Sequence, residues 1–290
     1  MPEPTESLPH AQQPGPTDAP RRPRQQSVTL RERLDLGRGC CVLRFAAEEP
    51  IAARAGQFAM LRAVDWSSAP LLPRPMSLLT GGAEPSFLVK AVGEGTRRMV
   101  QAPPEACFTL LGPLGAPWRH PRPDARAVLV AGGVGLPPLL FLARELGATR
   151  EAARGPRPLL LYGGRSAEDL PLGDEVAAVA ELRTATEDGS RGTRGLVTAL
   201  LEPALDELTR AGSPAELFTC GPHGMMAAVA AIAARRGVGC QVSLETRMAC
   251  GYGVCLGCAT ARPGGGYLYA CNEGPCVDAT AVDWRAEAPR

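Results

Sequence analysis

Lysine and asparagine are almost absent from this 290-residue chain, in which Lys90 and Asn272 are the sole examples. Positive charge rests on arginine, whose abundance beside alanine fits the codon usage of a G+C-rich genome, so a single arginine carries weight only inside a motif. No excess of one sign exists either: 31 Lys and Arg face 30 Asp and Glu, leaving a net charge of +1. That balance argues against a nucleic-acid binder, which needs a concentrated positive face to neutralise phosphates. No stretch approaches 18 consecutive apolar residues, which excludes a membrane-spanning helix. The first residues, MPEPTESLPHAQQPGPTDAPRRPRQQ, lack the apolar core of a secretory signal. A cytoplasmic protein in a reducing compartment is the expectation, with residues 1–26 as a disordered tail. Histidine is scarce too. His10, His120 and His223 do not pair with a Ser/Asp or Cys nucleophile pattern, so no hydrolase triad is expected.

What the chain does hold is ten cysteines, 33 glycines and 29 prolines. From Ser27, short alternating stretches (SVTLRERLDLG, CCVLRFAAE, GQFAMLRAV, PMSLLT, SFLVKAV, CFTLLGPLG) are punctuated by Gly, Pro and Asp about every ten residues. This rhythm predicts an all-β module, an antiparallel β-barrel or a sandwich, over 27–121. Residues 117–125, with three prolines, read as a linker. Over 122–240 apolar strands alternate with helical stretches, two of them expected at 168–182 and 195–211, and a last one at 222–236. Strands alternating with helices predict a parallel α/β domain. The remaining module, 241–290, contains five of the ten cysteines.

Within that module Cys250, Cys255 and Cys258 are spaced C-x4-C-x2-C, with Cys271 twelve residues beyond the third. Three thiolates in one glycine-rich loop and a fourth from a later segment follow the plant-type [2Fe–2S] order. Zinc sites prefer two separated short pairs, and structural cysteines prefer apolar neighbours. Cys276 competes with Cys271 as the fourth ligand. Cys40, Cys41, Cys107 and Cys240 are expected to be buried packing residues.

Two weaker patterns concern a flavin. Arg74-Pro75-Met76-Ser77 offers a guanidinium for a pyrophosphate and a hydroxyl for a ring nitrogen, although a proline-led edge strand would read the same. Gly93-Glu94-Gly95-Thr96 opens a helical stretch and offers a phosphate nest. Gly132-Gly133-Val134-Gly135 follows the apolar run AVLVA and leads into Leu136-Pro137-Pro138, the form of a nucleotide-binding turn or of a plain strand–helix turn. Cys220-Gly221-Pro222 ends a later strand, where a polarisable thiol could lie beside a nicotinamide.

The ordered strings RPMS, GEGT, GGVGLPP, TEDGS and CGP resemble the ferredoxin–NADP reductase-like flavoproteins. The ending SLETRMACGYGVCLGC…YACNEGPCVDA is similar to that of the electron-transfer subunits of heteromeric dihydroorotate dehydrogenases. The resemblance spans roughly 27–280. It implies FAD contacts from Arg74, Pro75, Met76, Ser77, Leu88, Val89, Lys90, Gly95 and Thr96. It implies an NAD site lined by Gly132, Gly133, Gly135, Cys220 and Gly221, and a [2Fe–2S] cluster on Cys250, Cys255, Cys258 and Cys271. The resemblance puts Glu245 near the flavin, although a surface carboxylate would read the same. It further implies an FMN-containing catalytic partner that oxidises dihydroorotate in pyrimidine biosynthesis, in a two-plus-two heterotetramer, with no acid–base residue for that substrate on this chain. An NAD(P)H-dependent subunit of a sulfide dehydrogenase, hydrogenase or ferredoxin:NADP oxidoreductase is the alternative, and NAD against NADP stays open.

Overall fold

The computed structural model describes residues 23–66, 69–148 and 156–286; the greater part of the expected tail lies outside them. Six strands close an antiparallel barrel: β1 (Arg24–Asp35), β2 (Cys40–Ala47), β3 (Phe58–Ala63), β4 (Arg74–Thr80), β5 (Ser86–Lys90) and β6 (Cys107–Leu114), in the order β1-β2-β5-β4-β3-β6. Alternation aims one row of each strand inward. There Phe45 meets Phe87 and Phe108 edge-on, at centroid distances of 5.9 and 5.1 Å. The first strand starts at Arg24 and not at 27, because Arg24, Gln25 and Gln26 pair with Gly112, Leu111 and Leu110 of β6. Helix α1 (Glu94–Val100) follows β5.

The second half is a seven-stranded sheet in the order β10-β9-β8-β7-β11-β12-β15. Its parallel part comprises β7 (Arg126–Gly132), β8 (Leu159–Gly164), β9 (Glu181–Thr186), β10 (Thr193–Arg194), β11 (Ala215–Cys220) and β12 (Gly239–Ser243). The helices are α2 (Leu136–Ala148), α3 (Gly173–Val179), α4 (Thr198–Arg210) and α5 (His223–Arg236). The helix expected at 168–182 is thus cut to α3, and its tail becomes β9. That strand, ELRTAT, carries no apolar run. Its polar face is held by the ion pairs of Glu181 with Arg126 (2.6 Å) and Arg183 (2.8 Å), and such a stabilisation leaves no periodic signal.

A hairpin of β13 (Ala259–Ala261) and β14 (Tyr267–Tyr269) precedes β15 (Cys276–Asp278), which joins β12 antiparallel with Ser243 opposite Cys276. The cysteine-rich module therefore completes the sheet, and the expected boundary at 240 falls inside β12. The proline-rich linker is anchored as well. Trp118 is 1% exposed, donates its Nε1 hydrogen to Pro138 O (2.9 Å) and packs edge-on against Phe218 at 5.7 Å. Trp118→Ala should cost about 3–5 kcal/mol of stability through the cavity left between barrel and sheet, read as a lowered denaturant midpoint.

Candidate functional site

Two cavities meet where the barrel, the sheet and the cysteine-rich module come together. The larger, about 620 Å3, opens at the carboxyl ends of the parallel strands, the usual ligand crevice of an open α/β sheet. Gly132, Gly133, Gly163, Gly164, Gly221 and Gly224 form much of its wall. Gly221 takes φ +151°, and a Cβ there would lie 3.0 Å from the backbone of Gly132. At this position glycine lets two strand ends close together beneath the cavity. Gly135 does related work out of sight. Its absent Cβ would stand 2.4 Å from Cys220 O, so it packs the turn onto β11 and does not line the cavity.

Cys220 departs from the expectation. Its thiol is 2% exposed and lies beneath the cavity wall, beside Ser243 and Cys276. Burial, then the nearby Glu245 charge and Cys276, push it well above the ordinary thiol range, and a bond with Ser243 only partly offsets this. It is a neutral thiol under the strand end, with Gly221 and Met225 forming the wall above.

The second cavity, about 280 Å3, runs along the barrel and includes Pro75, Met76, Ser77, Leu88, Lys90 and Thr96. Val89 belongs instead to the barrel interior, at 1% exposure; strand alternation sends it to the opposite face from Leu88 and Lys90. Arg74 lies at the margin. A Cβ on Gly95 would sit 2.5 Å from its Nε, so only glycine lets the guanidinium rest against the turn that starts α1. The Thr96 hydroxyl is already committed: it accepts from the Val92 and Gly93 N–H groups (3.0 Å each) and donates to Gly93 O (3.1 Å). This turn thus offers an anion its remaining backbone N–H groups beside Arg74. Guanidinium, first-turn amides and a glycine that admits close approach fit a dinucleotide pyrophosphate.

Lys90 and Val134 line both cavities. Lys90 Nζ donates to Asp169 Oδ1 at 3.1 Å, tying the barrel to the segment after β8. Burial works to raise the Asp169 carboxyl, but Lys90, then Arg38 and the Ser166 backbone, outweigh it and hold it below its ordinary value. A depressed carboxylate stabilises the fold above the usual Asp range and loses that contribution as pH falls through its lowered value. The Asp169 carboxylate is therefore ionised at neutral pH.

Glu245 lines both cavities too. Open to the water of the cleft yet with protein on most sides, its carboxyl is raised by desolvation. The sequence motif SLETRMAC had suggested this position without deciding it.

Met248, two residues before Cys250, also lines the barrel-side cavity. Beyond it the cysteine loop turns through Gly251 (φ +83°), Gly253 (φ +87°) and Leu256 (φ +60°). A Cβ on Gly251 would lie 2.6 Å from Met60, so the loop presses directly on β3. The four thiols stand as two pairs. Cys258 and Cys271 are buried with sulfurs 3.1 Å apart, while Cys250 and Cys255 lie together toward the surface. Backbone N–H groups point at the sulfurs, from Gly253 to Cys271 (3.1 Å) and from Cys255 to Cys250 (3.4 Å). Burial would raise the Cys250 thiol, but the amides of Cys255, Tyr252 and Val254, with the Cys255 side chain, bring it down to about 6. Among the described residues no three Cys, His, Asp or Glu side chains converge as on a single metal ion. Two pairs with amide support fit two bridged irons taking two thiolates each.

Cys276 lies apart from these pairs. Its thiol is buried 3.6 Å from Gly56 O and beside Ser243, in the core layer that holds Trp118. Cys40, Cys41 and Cys240 are buried as expected, whereas Cys107 is exposed, on an outward position of β6.

Residues 245–283 match the family described as the iron–sulfur cluster binding domain of dihydroorotate dehydrogenase B. The chain is 36% identical over 234 residues to the dihydroorotate dehydrogenase B (NAD(+)) electron transfer subunit of Geobacillus kaustophilus, covering 78% of this chain and 86% of that protein. It is 36% identical over 239 residues to the probable subunit of the same name in Methanopyrus kandleri, covering 81% and 82%. Among solved structures, an NADH-dependent reduced ferredoxin-NADP oxidoreductase superposes with a TM-score of 0.74 over 89% of this chain and 90% of that one, at 24% identity. That likeness establishes a shared fold. The sequence relationship goes further: the chain belongs to the family of dihydroorotate dehydrogenase B (NAD(+)) electron transfer subunits.

Proposed function

We propose that this chain carries electrons between a catalytic subunit that oxidises dihydroorotate and NAD+, using a [2Fe–2S] cluster and FAD as relays. The supporting observation is the convergence of modules. The barrel-side cavity is walled by all three: Met76 and Ser77 from the barrel, Val134 and Pro137 from the sheet domain, Glu245 and Met248 from the cysteine-rich module. The thiol loop begins two residues beyond Met248, and the nucleotide cavity adjoins at Lys90, Val134 and Glu245. When bound, the cluster supplies one-electron chemistry and the flavin the exchange between one and two electrons.

The residues of this chain bind and orient. In this reading Cys250, Cys255, Cys258 and Cys271 hold the cluster. Arg74 with the Gly95 turn holds the flavin pyrophosphate, Pro75 to Ser77, Leu88 and Lys90 line its ring system, and Thr96 fixes the turn. Gly132, Gly133 and Gly221 admit NAD against the strand ends, while Gly135 and Cys220 pack the floor beneath. The partner carries FMN, the assembly is two plus two, and it resides in the cytoplasm. Anaerobic purification followed by iron, sulfide and flavin analysis tests the cofactor set. About two irons and one FAD per chain are expected, and zinc in place of iron would overturn it.

Tyr252, Val254 and Leu256 are exposed on the outside of the cluster loop, beside the exposed Cys255. Apolar side chains around an exposed relay thiol suit a protein partner that must bring its own cofactor close. Val254→Glu should weaken association with the catalytic subunit by about tenfold or more, read by co-elution and calorimetry, with iron and flavin contents unchanged.

A further inference from the structure

Three buried side-chain polar atoms among the described residues have no hydrogen-bond partner: His223 Nε2, Thr246 Oγ1 and Thr260 Oγ1. All three residues line one small cavity of about 130 Å3. Leaving a buried polar atom unpaired is unfavourable, so three around one space mark a chamber made for something polar. Its volume admits several waters. Two hydroxyls and an imidazole nitrogen supply both donors and acceptors, as a water cluster requires.

The chamber is not isolated. Among the described residues, Glu245 lines it together with both cofactor cavities. Reducing NAD+ needs what the cluster does not carry: NAD+ + 2 e⁻ + H⁺ → NADH. The two electrons arrive singly through the cluster, and the proton has to come from water.

We propose that the chamber of His223, Thr246 and Thr260 holds a water cluster that relays protons to the Glu245 carboxyl, which delivers one proton to the flavin side of the cleft for each electron pair. The proposal rests on the electron-transfer reading above. Glu245 is suited to the task because it reaches the chamber on one side and the Met76–Ser77 cleft on the other. The protein around it raises its carboxyl by desolvation, although it stays open to the cleft. The titratable groups around it are Lys90 from β5, Cys220 from β11 and His223 from the head of α5, with Asp169, Glu187 and Arg165 farther along the nucleotide cavity. In turnover the carboxyl gives up its proton toward the cleft and is reprotonated through the chamber, so protons balance with no further reactant.

The test compares two half-reactions of the cofactor-loaded protein by stopped flow. Reduction of the flavin through the cluster by a one-electron donor draws a proton from solvent, whereas NADH brings its own hydrogen. Thr260→Val removes a hydroxyl with little change of shape, and His223→Leu removes the imidazole. Each should slow the cluster-driven reduction about tenfold or more while leaving NADH-driven reduction within about twofold of wild type. A crystal structure should show ordered waters bridging His223 and Thr260, depleted in the Thr260→Val protein. A dry chamber, equal slowing of both half-reactions, or no slowing of either would overturn the relay. A wild-type flavin that NADH cannot reduce would overturn the underlying function, and the relay with it.

Discussion

Cys258→Ser is expected to strip the protein of its iron while its flavin stays bound. Cys258 and Cys271 form the inner thiol pair, 2% and 3% exposed, with sulfurs 3.1 Å apart. Serine is a far weaker iron ligand than a thiolate, and here it would stand in a buried pair that solvent does not supplement. Iron should fall from about two per chain toward zero, with loss of the cluster's visible absorption. Electron delivery from the catalytic subunit should cease, because in the proposed path the cluster is the relay between that subunit and the flavin. The barrel-side cavity proposed for the flavin draws on Pro75 to Ser77 and Leu88, so FAD content should hold. Cys276→Ala is the control. Its thiol faces Gly56 O and Ser243, away from both pairs, and iron should remain near two per chain. Iron lost from Cys276→Ala and retained in Cys271→Ala would reverse the fourth-ligand assignment.

Arg74→Ala should release FAD. The guanidinium rests on Gly95, where a Cβ would stand 2.5 Å from Nε, and its Nη1 donates to Leu72 O at 2.9 Å. It is thereby held in place before any ligand arrives. A prepositioned guanidinium on a pyrophosphate makes charge-assisted bonds, and removing a hydrogen bond to a charged group costs about 1.5–3 kcal/mol. FAD affinity should fall by about 10- to 100-fold, measured by flavin fluorescence on dilution. Gly95→Ala should act in the same direction through displacement of the guanidinium. Both variants should retain the cluster, since the thiol loop leans on Met60 and Leu114 and not on Arg74. An unchanged flavin affinity in Arg74→Ala would remove the pyrophosphate cradle from the account.

These two sites differ in how visibly the chain wrote them. The cysteine loop was legible because four thiolates around two irons demand a fixed spacing with glycines between, and the pairing in space follows that spacing. The barrel and the parallel sheet were legible from alternation and from apolar runs. What escaped reading depends on contacts between distant segments. β9 is a polar strand paired with β8 and tied to β7 by Arg126–Glu181 and to α4 by Arg183–Glu207. β15 adds an antiparallel strand from a module that had looked separate. Val89 points into the barrel although its neighbours face the groove, and Cys220 lies under the cavity wall because Gly135 and Gly221 close the turn above it. His223, Thr246 and Thr260 are dispersed over 38 positions of the chain, and only folding brings them to one chamber. Thr246 lies within SLETRMAC, but nothing in that string points to His223 or Thr260.

The account stands on transfer of electrons from dihydroorotate oxidation to NAD+ through this chain. The most direct test mixes the purified FMN-containing catalytic subunit with dihydroorotate and NAD+ under anaerobic conditions and follows NADH by its absorbance. NADH should form only when this chain, loaded with FAD and cluster, is added, and the Cys258→Ser protein should not substitute for it. NADH formation without this chain, or undiminished formation with the iron-free variant, would contradict the account.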